Sequence, residues 1–241
     1  MIRGLKFTKF KGGPGDPGSG HHGHSGRPGS VGGSAPSGGY QLSQEDFKTD
    51  KEDTNLLLVE GASRRIADKW GVSRADLNAL AEEEGWDLPI DDTEAKYEMA
   101  YAYIRKWHGS SGGAVPTAMA AHISDKLGSN YKLIERDQSS TQFIKDHPAQ
   151  HRAMTSLAET MYSETQDWLK GKGVSNLRLL RSGTPAKDKP FSSWSLSWGG
   201  VRHESGRSVI TEVVPAKYIL SVPPTGFGTL SESEVVVLAR P

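Results

Sequence analysis

The chain has 241 residues, which is enough for one well-formed domain with an appendage or for two small domains. Its 29 Lys and Arg residues balance its 29 Asp and Glu residues, so no overall field attracts nucleic acid or an anionic membrane. The absence of cysteine excludes disulfides, thiolate nucleophiles and Cys-ligated zinc.

The first segment is rich in glycine and poor in apolar side chains. It holds 13 of the 28 glycines within the first 40 residues. So little apolar surface cannot offset the entropy of ordering, and we predict a disordered tail over residues 1–45. His21, His22 and His24 could bind a transition metal, but the flanking glycines give them no rigid geometry and no fourth ligand is fixed nearby. We therefore predict a solvated linker and no metal site.

We also expect no targeting signal and no transmembrane segment. Residues 1–7 lack the apolar stretch of a secretory signal, and no apolar run approaches the roughly 18 residues needed to span a bilayer. We expect a soluble protein made in the cytoplasm, with no membrane partner.

Helical periodicity begins after the tail. Apolar residues three and four apart predict a helix over 62–70, which Gly71 ends, and Ser73 can cap a second helix. We interpret residues 46–92 as a helical hairpin of unknown role. A DNA-binding helix-turn-helix is the alternative, but the second helix carries acidic residues where a DNA reader needs Arg, Lys, Asn or Gln: Asp76, Glu82, Glu83 and Glu84. We expect no nucleic-acid partner.

Further helices are predicted over 93–107, 117–127 and 151–169. The period then changes to that of extended chain, and short strands separated by Gly and Pro turns are predicted over 177–181, 192–198, 209–214, 219–222 and 235–238. Helices followed by strands indicate an α+β fold with a mostly antiparallel sheet packed against helices.

Three motifs in the strand-rich part belong together. Leu180-Arg181-Ser182-Gly183 places an arginine at the end of a strand, Ser193-Trp194-Ser195 forms a hydroxyl-bearing strand, and Glu232-Ser233-Glu234 runs into an apolar strand. Each motif alone has an ordinary explanation. An arginine at a strand end is usually a solvated charge, a serine-rich strand is often an edge strand, and Glu-Ser-Glu is commonly a polar turn.

In this order the motifs resemble the R-S-E class of mono-ADP-ribosyltransferases. That family has an arginine on its first strand, a Ser-Thr-Ser strand and a Glu-X-Glu before a later strand. The resemblance covers residues 150–241, and residues 161–183 look like the helix–turn–strand entry of phage-encoded members. It implies an ADP-ribosyltransferase fold with a split sheet over 93–241, comprising a helical half over 93–170 and an NAD-binding half over 171–241.

The resemblance also implies site residues. Glu234 would stabilise the oxocarbenium-like transition state of NAD cleavage, and Arg181 would grip the diphosphate. Gly183 would let the backbone approach the nicotinamide amide, Ser193 would orient Glu234 and the ribose, and Ser195 would support its strand. Trp198 could cover the nicotinamide. NAD is consumed as a substrate, and no metal is needed.

Glu232 and the turn before it bear on the acceptor. In the family, Glu at this position accompanies arginine-modifying enzymes, so we expect an arginine on a target protein as acceptor. Residues 218–231 contain a Pro-Pro-Thr-Gly turn that we interpret as a mobile substrate-recognition loop, in which Phe227 either contacts the target or packs under its own loop. Trp194 replaces the family's threonine, which is tolerable if it faces the core and alters the pocket if it faces NAD.

The sequence leaves two functions open. The first is a toxin-like or phage-borne enzyme, an NAD–protein arginine ADP-ribosyltransferase in the host cytoplasm or on a virion. The tail resembles a Gly-His-Gly-Arg-Pro-Gly-Gly-Ser-type linker of phage structural polyproteins, which adds a possible association with a phage particle. The second is a phage structural or interaction protein with a vestigial, inactive transferase fold.

Overall fold

Helices precede strands along the chain, as the periodicity predicts. The computed structural model describes residues 42–47, 54–109, 145–183, 191–201 and 208–238. Within these residues four α-helices and five strands form an α+β fold: α1 (Thr54–Lys69), α2 (Arg74–Glu84), α3 (Asp92–Gly109), α4 (Pro148–Gly171), β1 (Asn176–Ser182), β2 (Phe191–Ser195), β3 (Val209–Pro215), β4 (Ile219–Ser221) and β5 (Glu234–Leu238). The predicted tail over 1–45 and the predicted helix over 117–127 lie largely or wholly outside the described residues.

Helices α1 and α2 and the turn between them form as predicted, but the two helices do not pack against each other as a hairpin: α1 packs mainly on α3, and α2 packs mainly on α4. Ser73 adopts an extended conformation and its hydroxyl accepts the Asp76 amide, which satisfies one free donor at the start of α2. Gly85 ends α2 with a φ of 67°, a left-handed conformation that costs glycine little. The buried side of α2 packs on α4, so α2 belongs to a larger core.

One apolar core joins all four helices to the sheet. Its members come from α1, α2, α3 and α4 and from the loop and strand residues Leu220, Phe227, Val236 and Leu238. All described residues also belong to one compact unit, spanning 38–241. The structure therefore shows no boundary at residue 92, the predicted border between the hairpin and the catalytic domain.

The sheet is antiparallel, with the strand order β3-β1-β2-β5-β4. β1 pairs with β3 from Asn176 to Ser182, and β2 pairs with β5 along its whole length. Between β1 and β2, however, the register contains a single pair, Leu180 with Ser195. The two halves of the sheet are therefore joined at one point and separate beside it.

A second core covers the other side of the sheet. Leu177, Leu179, Trp194, Val235 and Val237 pack there with Leu169 of α4 and with residues of the segment before α1, including Leu42 and Phe47. Trp194 is 3% exposed, so this tryptophan faces the core. Within the described residues no helix is both long and apolar enough to cross a membrane.

Candidate functional site

The Glu232-Ser233-Glu234 motif forms a tight turn at the entrance to β5. Ser233 has a φ of 47°, a left-handed conformation that is uncommon outside glycine, asparagine and aspartate. Its amide donates to the Leu230 carbonyl at 2.9 Å, and the Glu234 amide donates to the Thr229 carbonyl at 2.9 Å. The turn is thus hydrogen-bonded on itself, and it delivers Glu234 as the first residue of the strand.

The end of β2 fastens this turn from the other side. The Ser195 hydroxyl lies 2.7 Å from the Glu232 carbonyl, and the Leu196 amide donates to the Ser233 carbonyl at 3.1 Å. A methyl group at Gly200 would overlap the Glu232 carbonyl and the Ser195 hydroxyl, so only glycine fits there without displacement. These contacts agree with the supporting role expected of Ser195. They also explain why β2 ends at Ser195 instead of continuing to 198.

Glu234 is a buried carboxylate with a defined orientation. Its residue is 7% exposed, and its Oε2 atom accepts the Thr229 amide at 2.9 Å and the Thr229 hydroxyl at 3.3 Å. Within the described part of the chain, Oε1 has no hydrogen-bond partner. A carboxylate held by one oxygen keeps the other available for a ligand.

Arg181 lies where the two halves of the sheet separate. It follows Leu180, the β1 residue that pairs with Ser195, and its Nη1 atom donates to the Ser193 carbonyl. The guanidinium therefore reaches across to β2. Arg181 and the Ser193 backbone, two of the predicted site positions, are in direct contact.

The register brings the three motifs to one level of the sheet. Leu180, Ser195 and Glu234 stand opposite one another on β1, β2 and β5. With strands about 4.8 Å apart, the backbones of Arg181 and Glu234 are roughly 10 Å from each other. Successive side chains alternate between faces, so Arg181 leaves β1 on the face opposite Ser195 and Glu234. Arg181 and Glu234 therefore lie on nearby strands of the sheet, but their side chains project from opposite faces.

The remaining positions differ in their surroundings. Gly183 has a φ of 71° and its amide donates to the Ser208 carbonyl, so this position requires glycine for its backbone. The Ser193 residue is exposed, and Ser195, not Ser193, stands opposite Glu234. Trp198 is 61% exposed in a short 3₁₀ turn, Trp198–Gly200.

Phe227 does not lie on the surface. It is 1% exposed, and its ring stacks on Trp107 with centroids 4.5 Å apart and planes 7° from parallel. A ring in this position cannot touch another protein without leaving the core. The structure therefore supports packing under its own loop, and it does not support contact of Phe227 with a target.

The loop around Phe227 is fastened along its length, contrary to the expectation of a mobile turn. All residues from 221 to 228 are buried. The Thr225 hydroxyl lies 2.6 Å from that of Thr165 on α4, and the Phe227 amide lies 3.3 Å from the Met161 sulfur. Arg65 of α1 donates to the Pro224 carbonyl. Pro and Gly mark a turn in the sequence, but tertiary contacts with two helices decide how firmly it is held.

Two residues of the site were missed by sequence reasoning. Thr229 holds Glu234, and Gly200 allows the 3₁₀ turn after β2 to approach the Glu232 carbonyl. Neither belongs to a recognisable motif. The only signal in the sequence is the short spacing of Thr229 from Glu234, which is typical of a hydrogen-bonded turn.

Comparisons with known proteins do not assign the chain to a family. No protein-family model, no curated protein and no solved structure matches the chain. Within the described residues, no group of three or more His, Asp or Glu side chains is arranged to hold a metal ion.

Proposed function

We propose that this protein is an NAD-dependent mono-ADP-ribosyltransferase that moves ADP-ribose from NAD to an arginine side chain of a target protein. The observation that carries the proposal is that Arg181, the Ser193–Ser195 triplet and Glu234 lie on three neighbouring strands near one level of the sheet, with Arg181 bonded to the Ser193 carbonyl. The sequence motifs alone could have lain far apart.

The buried carboxylate suits the cleavage step. Breaking the bond between nicotinamide and ribose passes through an oxocarbenium-like transition state, as in glycoside cleavage. A fixed negative charge stabilises the positive charge that develops on the ribose, and it does so more strongly where water is excluded. Glu234 is 7% exposed and oriented by Thr229, which meets both conditions.

Arg181 suits the diphosphate. A guanidinium stays charged and grips phosphate oxygens in pairs. Arg181 and Glu234 leave the sheet on opposite faces, but the Arg181 guanidinium reaches across to the Ser193 carbonyl on β2. The NAD diphosphate is proposed to lie beside this guanidinium, and the nicotinamide-side ribose beside Glu234 and Ser193. Gly183 and the exposed ring of Trp198 are proposed to contact the nicotinamide.

Glu232 is proposed to act on the acceptor. It lies two residues before Glu234, and its backbone is fixed by the Ser195 hydroxyl. A carboxylate there can orient an incoming guanidinium and take up its proton. Because Phe227 is buried, recognition of the target protein is assigned to Glu232 and the half-buried or exposed residues 229–232.

Transfer of labelled ADP-ribose to an arginine-rich protein tests this division of roles. The wild-type chain should label the acceptor. Glu232→Ala should label it at least tenfold more slowly while nicotinamide release from NAD continues, because the acceptor and not the NAD loses its partner. Glu82→Ala, which removes an exposed carboxylate of α2, is the matched control and should leave both rates unchanged.

Two results would contradict the proposed acceptor chemistry. Undiminished labelling by Glu232→Ala would remove the acceptor role of Glu232 and leave the cleavage step standing. Labelling that resists replacement of the acceptor arginines by lysine would assign a different acceptor residue. The alternative of an inactive phage structural protein predicts neither labelling nor nicotinamide release by the wild-type chain.

A further inference from the structure

Thr229 makes three hydrogen bonds with Glu234. Its amide and its hydroxyl both donate to Glu234 Oε2, and its carbonyl accepts the Glu234 amide. The two residues are therefore joined reciprocally through backbone and side chain. This arrangement fixes the position of the carboxylate and also its rotation about the Cγ–Cδ bond.

Thr229 is itself held by a rigid support. Phe227, two residues earlier, is stacked on Trp107 of α3, and its amide meets Met161 of α4. Gly228 has a φ of 129°, and a Cβ atom there would come within 2.8 Å of the Glu234 carbonyl oxygen. The backbone at 228 must therefore pass close to Glu234, and the helical core sets where Thr229 lies.

We propose that Thr229 is a positioning residue for the Glu234 carboxylate, an inference that rests on the proposed function. Two donors occupy Oε2 and so direct Oε1 toward the substrate. A carboxylate oxygen that must meet a ribose hydroxyl and a developing cation loses much of its effect if it rotates away. Thr229 prevents that rotation without touching NAD.

The hydroxyl can be removed with little change in shape. Thr229→Val keeps the branched side chain and the backbone amide but loses the Oγ1 donor. Thr229→Ser keeps the donor and loses the methyl group. Thr160→Val is the matched control, because the Thr160 hydroxyl bonds only the Ser156 carbonyl within α4 and does not contact the site.

The test measures kcat and KM for nicotinamide release from NAD by the full chain. For Thr229→Val we expect kcat to fall roughly 10- to 100-fold, the loss of one hydrogen bond to a charged group, with KM changed by less than about threefold. Thr229→Ser should restore most of the rate, and Thr160→Val should match wild type. Circular dichroism checks that each variant folds. If Thr229→Val does not fold, Thr229→Ala replaces it, since it lacks the hydroxyl without adding bulk.

The outcomes distinguish failure of the positioning role of Thr229 from failure of the proposed function. An active wild-type chain with an unchanged Thr229→Val rate overturns the positioning role alone. So does a Thr229→Ser variant as impaired as Thr229→Val, because packing of the methyl group would then explain the loss. If wild type and Thr160→Val both fail to cleave NAD, the proposed function is lost and the role of Thr229 is lost with it.

Discussion

At the scale of single residues, Trp194 decides how the serine triplet should be understood. The triplet's middle residue is threonine in the resembled family, and the sequence left open whether a tryptophan there fills the core or the NAD pocket. The structure buries Trp194 to 3% exposure in the core that covers the Arg181 face of the sheet, with its indole nitrogen 2.9 Å from the Ser192 hydroxyl. The larger side chain therefore belongs to the packing of the sheet.

Restoring threonine at this position should harm the protein. Trp194→Thr leaves a cavity and buries a hydroxyl, and we expect the free energy of unfolding to fall by about 3–5 kcal/mol. Trp198→Thr is the control, because Trp198 is 61% exposed and its replacement should change stability by about 0.5 kcal/mol or less. Urea denaturation followed by circular dichroism measures both. Equal losses in the two variants would show that Trp194 does not carry the core.

Residue types and order were enough to propose Glu234 and Arg181 as site residues and Ser195 as a support for its strand, through the resemblance that they carry. They were not enough for Thr229, which is a common residue in a turn and acquires its role only when residues 229 and 234 meet. The sequence also could not predict whether Phe227 is exposed, since a phenylalanine between two glycines is compatible with a surface loop and with a buried position. Trp107, the ring it stacks on, lies 120 positions earlier.

At the scale of elements, an ion pair fastens α2 to α4. Arg152 of α4 contacts Asp76 in the first turn of α2 at 2.6 Å. The hydrogen bond from Arg152 is the main cause that holds the pKa of the Asp76 carboxyl below its usual value, against the opposing effect of burial. Asp76 also lies near the positive end of the helix dipole, which favours its charged form.

This pair gives a pH-dependent prediction. A carboxyl whose pKa is lowered by folding stabilises the protein above its unfolded pKa of about 4, and that contribution disappears as pH falls through the folded pKa. Asp76→Asn should therefore lower stability by about 1 kcal/mol at pH 7, because one partner is largely exposed, and by much less near pH 3. Asp87→Asn, an exposed control, should show little effect at either pH. A loss for Asp76→Asn that is the same at pH 3 and pH 7 would contradict the ion-pair explanation.

Most helices and strands followed from periodicity, with ends that differ from the predicted ones by a few residues. The largest extension lies at α1, which begins at Thr54 rather than at residue 62. β2 stops at Ser195 because its hydroxyl turns to the Glu232 carbonyl and a 3₁₀ turn begins at Trp198. Such an ending depends on a partner 37 residues away, so local composition could not reveal it.

At the scale of the whole molecule, the helices before residue 92 belong to the same core as the sheet. Amphipathic patterns showed that α1 and α2 each bury one face, but they could not show against what. In the structure Arg65 of α1 reaches the Pro224 carbonyl in the loop that leads to Thr229. Helix α1 thus supports the loop that leads to the proposed catalytic turn.

The most direct test of the central claim is nicotinamide release from NAD by purified wild-type chain and by Glu234→Gln. Glutamine keeps the size of the side chain and removes its charge. We expect wild type to release nicotinamide, and Glu234→Gln to do so at least 100-fold more slowly while still binding NAD, because the loss falls on the transition state. Equal release by both proteins, or none by either although both bind NAD, would contradict the assignment of Glu234 as the catalytic carboxylate.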